Sequence, residues 1–552
     1  MQAKAIREER SASWPAGGWA WLTAGSLAAV CLLLGSPAYL ISDDVGIARN
    51  LENGFEAPFI SMLLGQGLRL IYLIIPPVPW YGLMLYAAHL VSLGLGLFVL
   101  GKIAALRRLL VPCVLLYALV YAGYLLRVSF SSVSLMLGFN ALLAWLVLDK
   151  PARSLTVFGL GIALACSYLI RVDGFYLMLL LGLPLAIRGI ARKNRSLRGL
   201  LFLAPVAVVL LLNTLWIPRR VPADYRSYAR YNLARGRFMD FPMAQANTNN
   251  VALMQAVGWS ANDYRALTHW FFLDEDVFSR ERLQEVVRRT DLARPAPPAY
   301  GWHILREFVS QYSDHAGLLA LALFAAVAVS DRRRRWGQAG YAAYIMGLLL
   351  GVALWYRLPP RVGSPAFLAA ATGLLSLARF GSETPDRAGS PCWRGIQWLL
   401  AGVLAVTWTA RIIRWEAENR DARRQLDQSA EVLREFPADT LFVAEPAIAL
   451  HFEAMSPWSL RRSYPENVLP GGWAIGSPLF YNLLKKHGLL RAADVLPHSI
   501  DNPAILFIIF NEDFGGIITT WLREHALREV RMERVRELPG GRAVYQVVSA
   551  GR

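Results

Sequence analysis

Apolar residues gather in long blocks along the chain, with polar residues confined to short turns and two long stretches. Runs of about twenty apolar residues, enough for a helix to cross a bilayer, lie near 18–36, 80–101, 109–126, 131–148, 154–170, 174–190, 199–217, 315–330, 336–354, 365–379 and 394–413. They predict about eleven transmembrane helices. A shorter apolar run, Phe59 to Ile75, contains Gln66 and Arg69 and ends in Pro76-Pro77-Val78-Pro79. Counting it as a span would invert every later loop against the distribution of charge, so it reads as an interfacial or re-entrant helix.

The two polar stretches are 218–314 and 414–552. The first opens with Tyr225, Tyr228 and Tyr231 among Arg219, Arg220, Arg226 and Arg230, a spacing that suits a helix in the headgroup layer. Further along, Ser260 and Asp263 form a capping-box pattern, and Ser279 with Glu281 begins an amphipathic helix. The second stretch alternates strand-like runs (Thr440 to Val443, Ala504 to Phe510, Ala543 to Val548) with helical ones such as Pro478 to His487, which Gly488 ends. The expected architecture is a polytopic α-helical membrane protein. Its transmembrane domain spans 1–413 and includes a first outer loop, 37–79, and an outer helical loop, 218–314. A small α/β extracytoplasmic domain spans 414–552.

Composition agrees: 55% of the 552 residues are hydrophobic and only 18% charged, which excludes an ordinary soluble multidomain protein. The net charge of +17 does not call for a nucleic-acid partner, because the cations lie on alternate loops. Lys4, Arg7 and Arg10, then Lys102, Arg107 and Arg108, Lys150 and Arg153, the cluster Arg188 to Arg198, Arg332 to Arg335, and Arg379, Arg387 and Arg394 all fall on one side. The charge rule therefore expects a cytoplasmic amino terminus, an extracytoplasmic carboxy-terminal domain and a multi-pass protein of the cytoplasmic membrane. Span one reads as an uncleaved signal anchor. The four cysteines fall in spans or on the inner side, so no disulfides are expected.

The opposite face collects unusual residues. Ser42-Asp43-Asp44 stands just beyond the first span, and later outer turns carry Arg127, Arg171 with Asp173, and Trp355-Tyr356-Arg357-Leu358-Pro359-Pro360-Arg361. Two adjacent carboxylates at the hydrocarbon boundary, facing arginines from separate turns, bear a desolvation cost that a plain loop has little reason to carry. The arrangement suits transfer from a lipid phosphate. Asp43 or Asp44 would take a proton from an acceptor hydroxyl, while Arg357 and Arg361, with Arg127 and Arg171, would hold the departing phosphate. Plainer roles compete: Ser42 or Asp43 can cap a helix, and Arg127 and Arg171 can snorkel to headgroups. Asp274 and Glu275 could contact an acceptor or be solvated loop charges. Trp473, in Gly471-Gly472-Trp473, could meet saccharide through its indole or simply pack.

This layout resembles the GT-C class of membrane glycosyltransferases, which use polyprenyl-phosphate sugars and include protein mannosyltransferases and the lipid A aminoarabinose transferase. The features in common are the acidic pair Asp43-Asp44 in the first outer loop, the interfacial helix after it, many spans and a carboxy-terminal outer domain. The mannosyltransferase pattern has Asp-Glu where this chain has Asp-Asp. The resemblance implies that one acid of the pair is the base, that outer-loop arginines bind the donor phosphate, and that the partners are a polyprenyl-phosphate-sugar donor, a glycan, lipid or protein acceptor and membrane lipids. The eight histidines form no HExxH or paired spacing, so no metal or other cofactor is expected. Two other classes remain open: a glycolipid transporter or flippase, and a noncatalytic membrane scaffold with an outer binding domain. The spans contain no Asp or Glu and no internal repeat, which weighs against a transporter.

Overall fold

The computed structural model describes residues 18–104, 111–148, 154–192, 196–239, 250–290, 298–328, 330, 332–379, 391–446, 455–459, 467–469 and 471–550. The basic positions Lys4, Arg7, Arg10, Arg107, Arg108, Lys150, Arg153, Lys193, Arg195 and Arg387 lie outside the described residues.

The chain runs through α1 (Gly18–Leu34), β1 (Ala38–Tyr39), α2 (Ser42–Glu52), α3 (Met62–Ile74), α4 (Trp80–Ala104), α5 (Val111–Leu126) and β2 (Arg127–Val128). Next come α6 (Phe130–Val147), α7 (Ser154–Ile170), α8 (Val172–Arg192) and α9 (Ser196–Leu211), the last prolonged by a π turn at Leu212–Trp216. The polar segment holds α10 (Ala223–Met239), α11 (Val251–Ala256), α12 (Ala261–Thr268) and α13 (Arg280–Thr290). Then follow α14 (Pro298–Ala328), α15 (Arg332–Trp355), α16 (Pro360–Arg379) and α17 (Pro391–Leu433). The remainder is β3 (Leu441–Ala444), β4 (Val468–Leu469), α18 (Pro478–Lys486), α19 (Val495–His498), β5 (Ile505–Ile509), α20 (Glu512–His525), β6 (Val530–Leu538) and β7 (Arg542–Ser549).

Helices cover nearly all of the described residues of each apolar stretch. Among the described residues, six helices are both long and apolar enough to cross a membrane: Trp80–Ile103, Phe130–Val147, Val172–Gly189, Gly199–Arg219, Arg334–Trp355 and Gly395–Leu433. The chain is a mostly helical, multi-pass membrane protein. At its centre is α6, buried along its whole length against α4, α7, α8 and α16. Small residues allow such close approaches: a Cβ on Gly138 of α6 would collide with Ser167 of α7, and one on Gly161 of α7 with the Phe202 carbonyl of α9. The one amide inside α6, Asn140, donates to Ser92 and to the Tyr117 hydroxyl, so its burial leaves no orphaned donor.

Two helices outrun their apolar stretches. α14 begins at Pro298, well before the apolar run, and α17 continues to Leu433, so the 413/414 boundary falls inside a helix. Past residue 402 no glycine or proline interrupts that segment until Pro437, and i,i+4 pairs such as Glu416 with Arg420 and Asp421 with Gln425 support its polar half. Beyond it lies a five-stranded sheet of order β4-β3-β5-β7-β6, parallel through β4, β3 and β5 and antiparallel at β7 and β6. Its outer edge, β6, is blunted by exposed Arg531, Glu533, Arg534 and Arg536. The sheet shares one hydrophobic core with the 218–314 segment: Leu267, Phe271, Phe514 and Trp521 belong to the same cluster, with the Phe271 and Phe514 rings 4.9 Å apart.

Candidate active site

The turn after α1 is fastened before α2 begins. The Ser36 amide donates to Glu416, Asn419 donates to the Ser36 carbonyl, and Arg423 donates to the Pro37 carbonyl, all from α17. β1 then pairs with β2, and the Leu40 amide donates to the Val128 carbonyl. The residue preceding α2 is Ile41, which offers no side-chain cap, so neither Ser42 nor Asp43 serves as the cap. Both acids lie in the first helical turn, where the helix dipole favours negative charge.

One step along a helix turns a side chain by about 100°, and the two acids face different surroundings. Asp44 is fully buried; its Oδ1 accepts from the Tyr81 hydroxyl at 2.8 Å and from the Phe130 amide at 3.0 Å. Its Oδ2 meets no hydrogen-bond partner among the described residues. Burial pushes its pKa up to about 8, with Asp43 adding to the shift while the Tyr81 and Phe130 hydrogen bonds and Arg361 oppose it. Asp44 is therefore mostly neutral at pH 7. Asp43 instead faces a cavity and approaches Arg361, with Oδ2 to Nη2 at 3.5 Å. Arg361 sits in the first turn of α16, immediately after Pro359 and Pro360, whose fixed φ values set the direction of entry.

The cavity is about 390 Å³ and draws on three parts of the chain. Asp43, Phe59, Arg357 and Arg361 come from the membrane portion, His269 and Trp270 from the 218–314 segment, and Glu445 and Trp473 from the carboxy-terminal domain. Trp473 follows Gly472, whose φ of 66° is readily adopted only by glycine. Its ring meets Phe59 edge-on at 5.6 Å and Trp270 at 4.7 Å. Phe59 and Trp270 themselves hold φ values of 70° and 61°, a strained region for large side chains. Their backbones are bent to present these rings to the cavity.

Behind Trp473, Arg235 is fully buried. It donates to the Gly472 and Trp473 carbonyls and to Asn232, and its guanidinium lies over the Tyr231, Phe272 and Trp473 rings. The Tyr228 hydroxyl also donates to the Trp473 carbonyl, at 2.9 Å. Glu445 is held by the Phe510 and Asn511 amides, both donating to Oε2.

Of the arginines proposed from sequence, Arg357 and Arg361 line the cavity. Arg127 and Arg171 do not. Arg127 pairs with Glu418 and lies over the Trp415 ring, joining β2 to α17. Arg171 approaches Asp173 at 3.5 Å and lies over the Phe130 ring. Asp274 closes a turn by accepting from the Asp276 and Val277 amides. Glu275 accepts from Tyr481 and from Arg491, so it ties the 218–314 segment to the carboxy-terminal domain and lines a separate groove. Among the described residues, Asp263, Glu524 and His525 stand at metal-ligand spacing. Asp263, however, spends Oδ2 on the Ser260 amide as a cap, and its Oδ1 meets His525. Arg235, Tyr228, His269 and Glu445 escaped the sequence reading. Arg235 and Tyr228 belong to a helix of repeated Tyr and Arg that looks like a headgroup stripe.

No protein-family model and no curated protein matches the chain. Among solved structures, it is similar to ArnT from Cupriavidus metallidurans bound to undecaprenyl phosphate, at 12% identity and a TM-score of 0.38, covering 96% of this chain and 98% of that one. The same enzyme in its apo state is similar at 13% identity and a TM-score of 0.38, covering 96% and 97%.

Proposed function

We propose that the chain is a membrane glycosyltransferase that moves a sugar from a polyprenyl-phosphate donor to an envelope glycan, lipid or protein acceptor at the outer face of the cytoplasmic membrane. The observation that carries this reading is the convergence of Asp43, Arg361 and Arg357 in one cavity. In the reaction, Asp43 takes the proton of the acceptor hydroxyl as its oxygen bonds to the anomeric carbon. The bond from that carbon to the phosphate oxygen breaks, and the phosphate leaves on its lipid with the electron pair. Arg361 and Arg357 neutralise the charge that develops there. Asp44 does not touch the cavity; it anchors the first turn of α2 through Tyr81 and Phe130. Placement at the outer face, with a cytoplasmic amino terminus, rests on the loop charges.

The test is release of polyprenyl phosphate by purified protein. Asp43→Asn keeps the shape and removes the base, so transfer should fall roughly 10²- to 10⁴-fold while donor lipid still binds. Unimpaired transfer by this variant would remove the proposed chemistry.

A further inference from the structure

A second and larger concavity, about 1080 Å³, adjoins the Asp43 cavity. Tyr228 lines both, and the segment through Ala474, Ile475 and Gly476 passes from one to the other. The walls of this groove come from α10, from the start of α13 and from α18. Its volume slightly exceeds the roughly 300–1,000 Å³ typical of small-molecule sites, which leaves room for more than one sugar ring.

Cations line the rim of this groove. Arg226, Arg230, Arg280 and Lys485 border it, are exposed, and have no carboxylate within ion-pair distance among the described residues. Several other exposed arginines of the two outer segments are paired: Arg265 with Asp513, Arg288 and Arg289 with Glu285, Arg531 with Glu533, Arg534 with Glu537 and Arg536 with Glu435. Of the three acids on the rim, Glu275 is already taken by Arg491 and Tyr481. Asp224, which also accepts from the Tyr225 amide, and Glu281 remain as local counter-charges to the four cations. The half-buried rings of Tyr231 and Tyr481 line the same wall and suit the apolar faces of sugars.

We infer that this groove is the acceptor site and that it takes an anionic saccharide, a short chain of sugar rings bearing carboxylate or phosphate groups. The unpaired cations hold the acid groups, the aromatic rings support the sugar faces, and the end of the chain passes Tyr228 to offer a hydroxyl to Asp43. More than a third of the wall comes from the 414–552 segment, which favours a glycan lying in a cleft over a membrane lying against α10 alone. The groove can act as an acceptor site only if the Asp43 cavity is where transfer takes place.

The experiment uses the full chain in nanodiscs of zwitterionic lipid, titrated with oligogalacturonate and with its methyl ester, which keeps the rings and removes the charge. The acid should bind in a salt-sensitive manner, with the ester at least about tenfold weaker. The double variant Arg230→Gln, Lys485→Gln should weaken binding of the acid by about tenfold or more. Equal binding of acid and ester, or an unaffected double variant, would overturn the assignment. So would a loss seen only with vesicles of phosphatidylglycerol, because the surface would then bind headgroups. Polyprenyl-phosphate release by Asp43→Asn, measured in parallel, separates the two failures. If that variant transfers normally, the cavity reading falls; if it is inactive but the acid does not bind, the groove alone falls.

Discussion

Asp44 keeps its proton because burial leaves its charge unsolvated and only one of its oxygens finds donors, whereas Asp43, one step along α2, looks onto a cavity and an arginine. This division has a measurable consequence. Folding raises the Asp44 pKa from 3.8 to about 8, so between those values the native state holds a proton that the unfolded chain has lost. Stability from this group is complete below the lower value and declines as pH rises through the window, by at most roughly 1.4 kcal/mol per pH unit. The thermal midpoint of the wild type should therefore fall between about pH 5 and pH 8, and Asp44→Asn should flatten that slope. Parallel pH profiles for the two proteins would mean that Asp44 is charged in the fold. The sequence displayed the acid pair and placed Arg357 and Arg361 among the outer-turn arginines. It could not say which acid faces the cavity, because that depends on where α2 begins, and Ile41 precedes it without a recognisable cap.

At the scale of elements, helices built from apolar runs were readable directly, since about twenty such residues have few alternatives to a spanning helix. What length alone does not reveal is how closely two helices approach. Gly161 sits where α7 meets the backbone of α9, while Gly159, on the same helix, has open space beside it. Gly161→Ala should force the pair apart and destabilise the protein by about 1–3 kcal/mol; Gly159→Ala should leave the melting temperature nearly unchanged. Equal effects in a thermal-shift assay would refute a glycine-dependent crossing. The extension of α17 was hidden for a different reason. Hydropathy falls after residue 413, but helix propensity and the i,i+4 pairs continue to Leu433. Arg127 and Arg171 illustrate the same limit: their turns were located, but their partners, Glu418 and Phe130, are set by packing between elements.

Across the whole molecule, the 218–314 and 414–552 segments share one core, with the Glu275 and Asp276 contacts to Arg491 at its edge. Neither local pattern announced this, since the joining residues are some two hundred positions apart in the chain. Arg491→Ala should raise deuterium uptake around 274–276 and 491–492 and leave α20 protected; unchanged uptake would show that the shared core alone holds the two together. α17 ties these segments to the bilayer. At 1.5 Å per residue its 43 residues extend about 64 Å, roughly twice the hydrocarbon thickness. It is a lever whose lower arm answers to the lipid. A change in tilt of about 10° would swing the far end of a 30 Å arm by about 5 Å, and the turn carrying Ser36 and Pro37 is bonded to that arm. The spacing between Asp43 and Arg361 would thus be set partly by acyl-chain length. Turnover measured in nanodiscs of graded thickness should pass through an optimum, as if the membrane itself were adjusting the jaws of a vice.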